Sequence, residues 1–193
     1  MPKPARGSDH PTDPFMYYIV DNGAADLHWL ATVLTGCPET AVDVTVQVTD
    51  SAGDEKVFFS NWMSAWARRL VIAKALAAVA RELAASACRT ALKGEKRSAL
   101  PPRSWVLDEG TTKSDLERAL LSMDLFPRAA VLLLLFEGVR LADAAVLLDA
   151  EPDLVRKGQA AGVVELTMNL ARMKGWRPKE TNSNQLTGEF QHA

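Results

Sequence analysis

Leu141-Ala142-Asp143-Ala144-Ala145-Val146-Leu147-Leu148-Asp149-Ala150-Glu151-Pro152-Asp153-Leu154-Val155 is the stretch whose reading decides the fold. Ala145 is small enough for two helices to cross closely, and Asp149 is a short polar residue that tolerates left-handed backbone. Val155 supplies an apolar anchor for a second helix, which Pro152 starts with its fixed φ. The spacing predicts a helix over 141–148, a turn at Asp149 and Ala150, and a helix from Pro152 to about Met173, which is a helix-turn-helix. Many helix pairs share that spacing, so its meaning rests on the flanking sequence.

Immediately upstream, Ser114 with Glu117 makes a capping-box pattern ahead of Leu116, Leu120 and Leu121, with Thr112 or Ser114 opening this half of the chain. Pro127 begins a further helix through Phe136, and Gly138 ends it. In the first half, Asp13 and Pro14 introduce residues 15–20. Leu27, Leu30, Ala31 and Leu34 recur at three and four along a helix from about Ala24 to Thr35, which Gly36 and Pro38 stop. From Ser60, helical spacing of Trp62, Met63, Trp66, Leu70, Ala73 and Ala77 predicts the longest helix, reaching about Ala87.

Between these lies an ambiguous segment. Val42, Val44, Val46 and Val48 alternate with polar residues and lead towards Val57, Phe58 and Phe59, so period alone reads as a short hairpin between Val42 and Phe59. A helix starting near Pro38 places Ala41, Val44, Thr45 and Val48 along one side instead, and local β-preference is a weak arbiter.

The 193 residues are 48% hydrophobic, enough for a core, with a net charge of −2. That near-neutrality hides a basic middle: Arg68, Arg69, Lys74, Arg81, Arg89, Lys93, Lys96, Arg97 and Arg103 face only Glu82 and Glu95. Such a run suits nucleic acid or an acidic protein surface, although many charged runs are solvated helix faces. Cys37 and Cys88 stand far apart without metal-ligand spacing and read as buried small hydrophobes, and His10, His28 and His192 are isolated. No metal site and no cofactor is expected. Residues 1–14 lack a secretory apolar block and the apolar run 129–136 is too short for a bilayer, so a cytoplasmic protein without membrane contact is expected. Neither a Ser/His/Asp grouping nor a phosphate-binding glycine loop is present. Glu137 and Asp143 read as solvated helix charges, so no enzyme is expected.

Taken together, the string Leu116 to Leu121, Phe126-Pro127-Arg128-Ala129-Ala130-Val131-Leu132, Phe136-Glu137-Gly138 and the helix-turn-helix up to Val155 resembles the promoter-binding domain of small bacterial sigma factors. Leu34-Thr35-Gly36, Pro38-Glu39, Asp43 and Gln47 look like that family's polymerase-binding helix. Phe59, Trp62, Met63, Ala67, Arg68, Arg69, Leu70 and Ile72 are similar to its Phe-x-x-Trp-Leu…Ala-Arg-Asn-Leu-x-Ile helix. The resemblance, to a diverged sigma factor of the extracytoplasmic-function type, runs from about Ala24 to Arg172. It implies an all-α protein of two small helical bundles. These are a region-two-like domain over 14–93 and a region-four-like helix-turn-helix domain over 114–174, with a linker at 94–113, an unstructured start at 1–13 and a flexible tail at 175–193. It also implies RNA polymerase core and promoter DNA as partners, with an anti-sigma factor or other protein as a further one. Asp43 and Gln47 would face the polymerase. Arg68, Arg69 and Lys74 would guide the DNA strand, and Asp153, Leu154, Arg156 and Lys157 would lie at the duplex.

Departures from the family pattern concern DNA. Between Gln47 and Phe59 the chain is shorter by roughly a helical turn or two, where aromatic residues ordinarily trap promoter bases. Trp62 and Trp66 could substitute, or could simply pack the core. Gly158 and Ala161 stand where the family carries further cations, and residues 115–174 hold nine acids and seven bases. A domain of that balance gains little from counterion release. Gly158 and Gly162 each weaken a helix interior by ~1 kcal/mol, and with Ala161 they form a smooth strip against which another helix can lie. The alternative to a promoter-binding factor is therefore a sigma-like protein-interaction module with reduced or lost DNA binding.

Overall fold

The computed structural model describes residues 24–52, 60–93, 100–102 and 110–177, and every regular element among them is helical. In chain order these are α1 (Ala24–Thr35), α2 (Pro38–Ala52), α3 (Ser60–Ala78), α4 (Ala80–Leu92), α5 (Lys113–Leu121) and α6 (Leu125–Val131). A π-helical turn (Leu132–Phe136), α7 (Leu141–Leu147) and α8 (Pro152–Met173) complete the series. The all-α expectation holds. The expected start, the helix over 15–20, the side chain of Trp62 and the tail beyond Arg177 lie outside the described residues, as does most of the expected linker.

Helix α1 packs on α2 and α3, which also pack on each other. It ends where the sequence predicts, with Gly36 at φ +72°. The expected hairpin does not form over the described residues 42–52, because burial decides the matter. Ala41, Val44 and Val48 are buried along one side of α2, while Val42 and Val46 remain about half exposed on the other. A valine costs a helix at most ~0.7 kcal/mol in propensity, whereas burying one contributes roughly 1.5 kcal/mol or more. Two buried valines thus outweigh the local preference of all four.

The long helix expected from Ser60 runs in two pieces. Val79 takes φ −109° and ψ 13°, and α4 leaves it to pack on α6 and α8. Leu83, Ser86 and Thr90 are the buried side of α4. Cys88 lies on its exposed side and Cys37 is only half-buried, its Sγ donating to Glu39 Oε2 at 3.1 Å, so neither is the core residue expected. Trp66 packs against the apolar core.

Every residue of α6 is buried, and a buried helix start must satisfy its N–H groups without water. Leu125 N donates to Asp124 Oδ1 at 3.0 Å and Phe126 N to Ser86 Oγ at 2.8 Å; Pro127 has no N–H, and Arg128 N donates to Asp124 O at 3.1 Å. A proline in the first turn and a serine borrowed from α4 therefore complete the cap. Arg89 fixes the capping carboxylate from outside, with Nε to Oδ2 at 3.0 Å and Nη2 to Oδ1 at 2.6 Å. The capping box of α5 sits two residues earlier than the Ser114/Glu117 pattern suggests. Thr112 is the cap and exchanges hydrogen bonds with Asp115, which leaves Ser114 inside the first turn.

The glycines of α8 explain themselves against α6. A Cβ at Gly158 would lie 2.7 Å from Phe126 Cε1, and one at Gly162 would lie 2.6 Å from both Pro127 O and Val131 Cγ2. The smooth strip thus serves a helix of the same chain, with Ala161 half-buried beside it. Asn169 Nδ2 donates to Ala119 O at 3.1 Å, and Lys174 Nζ reaches Thr111 Oγ1 at 2.9 Å, so α8 also holds α5.

The buried apolar residues of α1–α3 and of α4–α8 join in one continuous cluster. Arg128 sits in that junction with 5% exposure. Its Nη2 lies where a side chain at Gly36 would begin, 2.9 Å from the position of a Cβ. Its Nη1 donates weakly to Leu121 O at 3.4 Å, and its Nε has no hydrogen-bond partner. Burial lowers its pKa.

Gly162→Ala removes a helix-propensity penalty of ~1 kcal/mol yet is expected to lower stability by roughly 1–3 kcal/mol, because the methyl meets backbone that has little room to yield. Urea unfolding followed by circular dichroism measures this, and a stabilised variant would refute the close crossing. The Arg89 hydrogen bonds, with those to Ser86 and Leu125 N, hold the Asp124 carboxyl at about 2 instead of 3.8. Its contribution to stability is complete above the unfolded value and is lost as pH falls from 3.8 towards 2. Asp124→Asn should accordingly be less stable at neutral pH and show a smaller loss across that acid window, measured by urea midpoints at each pH.

Candidate functional site

The helix-turn-helix closes as its residues suggest. Asp149 N donates to Val146 O at 3.3 Å and Ala150 N to Ala145 O at 3.0 Å, with Asp149 at φ +47°. This pair of bonds is the Schellman arrangement, in which the left-handed residue usually is glycine. Ala145 and Val155 are both buried in the core that α7 and α8 share. The turn therefore has the close crossing and the apolar anchor in one place.

Helix α8 offers little positive charge at its start. Asp153 is exposed and pairs with Arg156 Nη1 at 2.8 Å. Lys157 Nζ donates to Ala91 O at 2.8 Å, at the end of α4, where a helix favours a cation. Leu154 is half-buried against the core. Of the four residues expected at the duplex, then, one packs inward, two form a self-neutralising pair and one is held by a neighbouring helix.

The cations of α3 are divided as well. Arg69 is exposed, and Lys74 Nζ donates to Gln47 Oε1 at 3.2 Å, which joins an expected strand-guiding residue to an expected polymerase-facing one. Asp43 is exposed on α2, on the side that also shows Val42 and Val46. Arg68 reaches across to the second half of the chain: its Nε donates to Glu137 Oε2 at 2.9 Å and its Nη2 to Glu137 Oε1. Donating these hydrogen bonds to Glu137 raises the Arg68 pKa.

Glu137 is thus no solvated charge; its side chain is 9% exposed, and its partner lies 69 positions away. The π-helical turn delivers it, since Glu137 N bonds to Leu132 O at 2.9 Å and Gly138 at φ +62° reverses the chain directly after. Asp143 does remain a surface charge, paired with Arg140 on its own helix. Arg68 and Phe136 stand between two clefts. One, of about 1070 Å³, runs between α3 and α7 and is lined by Arg69, Arg140 and Val146. The other, of about 670 Å³, lies towards Trp29, Lys113 and Leu166.

Sequence reading missed Glu137 and Asp124 as partners of the basic middle and Ser86 as a cap of α6, for these pairings depend on how α3 meets the π-helical turn and how α4 meets α6. The one available signal was the Glu-Gly pair itself, a charge placed just before a left-handed glycine. Among the described residues no cluster of His, Cys, Asp and Glu could hold a metal ion, and no helix is long and apolar enough to cross a membrane. In comparisons with known proteins, no protein-family model, curated protein or solved structure matches the chain.

Proposed function

We propose that this chain is a sigma-factor-like transcription protein that works with RNA polymerase core at promoter DNA, without enzymatic activity of its own. The helix-turn-helix carries the reading: a Schellman turn at Asp149 joins two helices anchored on buried Ala145 and Val155, an arrangement compatible with a recognition helix entering duplex DNA. The order of the motifs supports it too, from the exposed Asp43 on α2 through the basic α3 to the turn. In this reading Asp43 and Gln47 face the polymerase clamp, Arg68, Arg69 and Lys74 guide the strand, and Arg156 and Lys157 contact the promoter.

A second reading is favoured by the state of α8. With Arg156 paired to Asp153 and Lys157 bound to Ala91 O, the helix presents little unengaged positive charge. The fold would then serve as a sigma-like interaction module whose partner is a protein, an anti-sigma factor or another regulator, with DNA contact reduced or lost.

Tagged protein incubated with purified core RNA polymerase at low salt is expected to co-elute with it in gel filtration, and failure to do so would remove the first reading. Arg156→Ala with Lys157→Ala then separates the two. The promoter reading expects a loss of roughly 1–3 kcal/mol in DNA affinity for a base-contacting residue, while the interaction-module reading expects polymerase or partner binding without any change.

A further inference from the structure

We propose that the Arg68–Glu137 pair is the latch of a clamshell that opens about Val79, swinging α1–α3 away from α4–α8. Four observations on different parts of the molecule meet in this arrangement.

The first is a place to bend. Val79 interrupts what would be one long helix, with φ −109° and ψ 13° and a long 3.3 Å bond from Val79 N to Ala75 O. Ala77, Ala78 and Ala80 beside it are exposed, while Val79 itself keeps its side chain against the apolar core. Secondly, α4 belongs mechanically to the second half. Phe126 N to Ser86 Oγ, the Arg89–Asp124 pair and Lys157 Nζ to Ala91 O all bind it to α6 and α8. The bend therefore separates two bodies, each with its own bonds.

Thirdly, the two bodies meet imperfectly. Surface clefts of about 1070 and 670 Å³ flank the Arg68–Phe136 partition and limit the junction to the continuous apolar contact beneath it. Arg68–Glu137 and the more exposed Lys113–Asp26 pair, at 3.0 Å, are the side-chain ion pairs across this gap among the described residues. The fourth is a built-in counterforce. Arg128 is buried where α1 meets α6, its Nε without a partner, and an incompletely paired buried cation opposes the closure that buries it. Closure thus sets a bidentate ion pair, together with the apolar contact of α1 on α5 and α6, against a poorly solvated guanidinium.

Opening would return Arg68 to solvent beside Arg69, so the closed form withholds part of the basic face of α3. That consequence for nucleic acid rests on the proposed function, whereas the latch does not.

Nitroxide labels on Val42→Cys and Val163→Cys, in a full chain with Cys37→Ser and Cys88→Ser, report the separation of α2 and α8 by double electron–electron resonance. The native pair should give one short distance; Glu137→Gln should add a longer population, and Arg128→Met on top of it should return most molecules to the short one. An identical distribution with and without Glu137→Gln overturns the latch, and a persistent long population with Arg128→Met overturns the counterforce. Should Glu137→Gln lose helical content by circular dichroism, the exchanged pair Arg68→Glu with Glu137→Arg decides: a single short distance supports the latch and an open population overturns it. A short single-stranded oligonucleotide titrated into Glu137→Gln then tests the consequence. Severalfold tighter binding supports masking of Arg68, and opening without any gain in binding leaves the latch standing but removes Arg68 as a strand contact.

Discussion

The close crossing of α8 over α6 is the contact on which the rest of the second half depends. Helix α6 is buried at every residue, so it can exist only if its neighbours approach to backbone distance and satisfy its first N–H groups. Gly158 and Gly162 supply the approach, and Ser86 and Asp124 supply the acceptors. Because Ser86 comes from α4, the capping requirement also draws α4 out of the first helical group. The bend at Val79 then follows from what α6 needs as much as from anything in its own sequence.

Much of the fold was legible because its signals are local. Gly36, Gly138 and Pro152 mark helix ends by backbone chemistry alone, and Asp149 adopts the left-handed conformation its short side chain allows. The helix-turn-helix could be read from three residues. Val42 to Val48 was ambiguous for a physical reason: a strand would put all four valines on one face and a helix splits them into Val44 with Val48 and Val42 with Val46, and only contact with α1 and α3 chooses between the two. The division of α3 from α4 was hidden similarly, since Ala77, Ala78, Val79 and Ala80 carry no helix-breaking residue. Docking of Leu83, Ser86 and Thr90 elsewhere imposes the break.

The candidate site was legible in its residues and not in their engagement. Arg68, Lys74, Arg156 and Lys157 were singled out as cations, yet each meets a partner within the chain. Sequence shows charge but not its compensation, which here spans from three positions, for Arg156 and Asp153, to 69, for Arg68 and Glu137. The strip of small residues shows the same limit. Its physical purpose was readable as close helix approach, whereas the identity of the approaching helix required the tertiary arrangement.

Gly36 and Arg128 illustrate a different kind of dependence. The guanidinium occupies the space a side chain at position 36 would need, at the end of a helix whose backbone already turns left-handed there. The two positions consequently share one volume, which a side chain at 36 could enter only by displacing the guanidinium. A side chain at 36 would thus need both a smaller residue at 128 and a tolerance of left-handed backbone, whereas a smaller residue at 128 asks nothing of Gly36, so the seating of α1 on α6 constrains the glycine more tightly than the arginine.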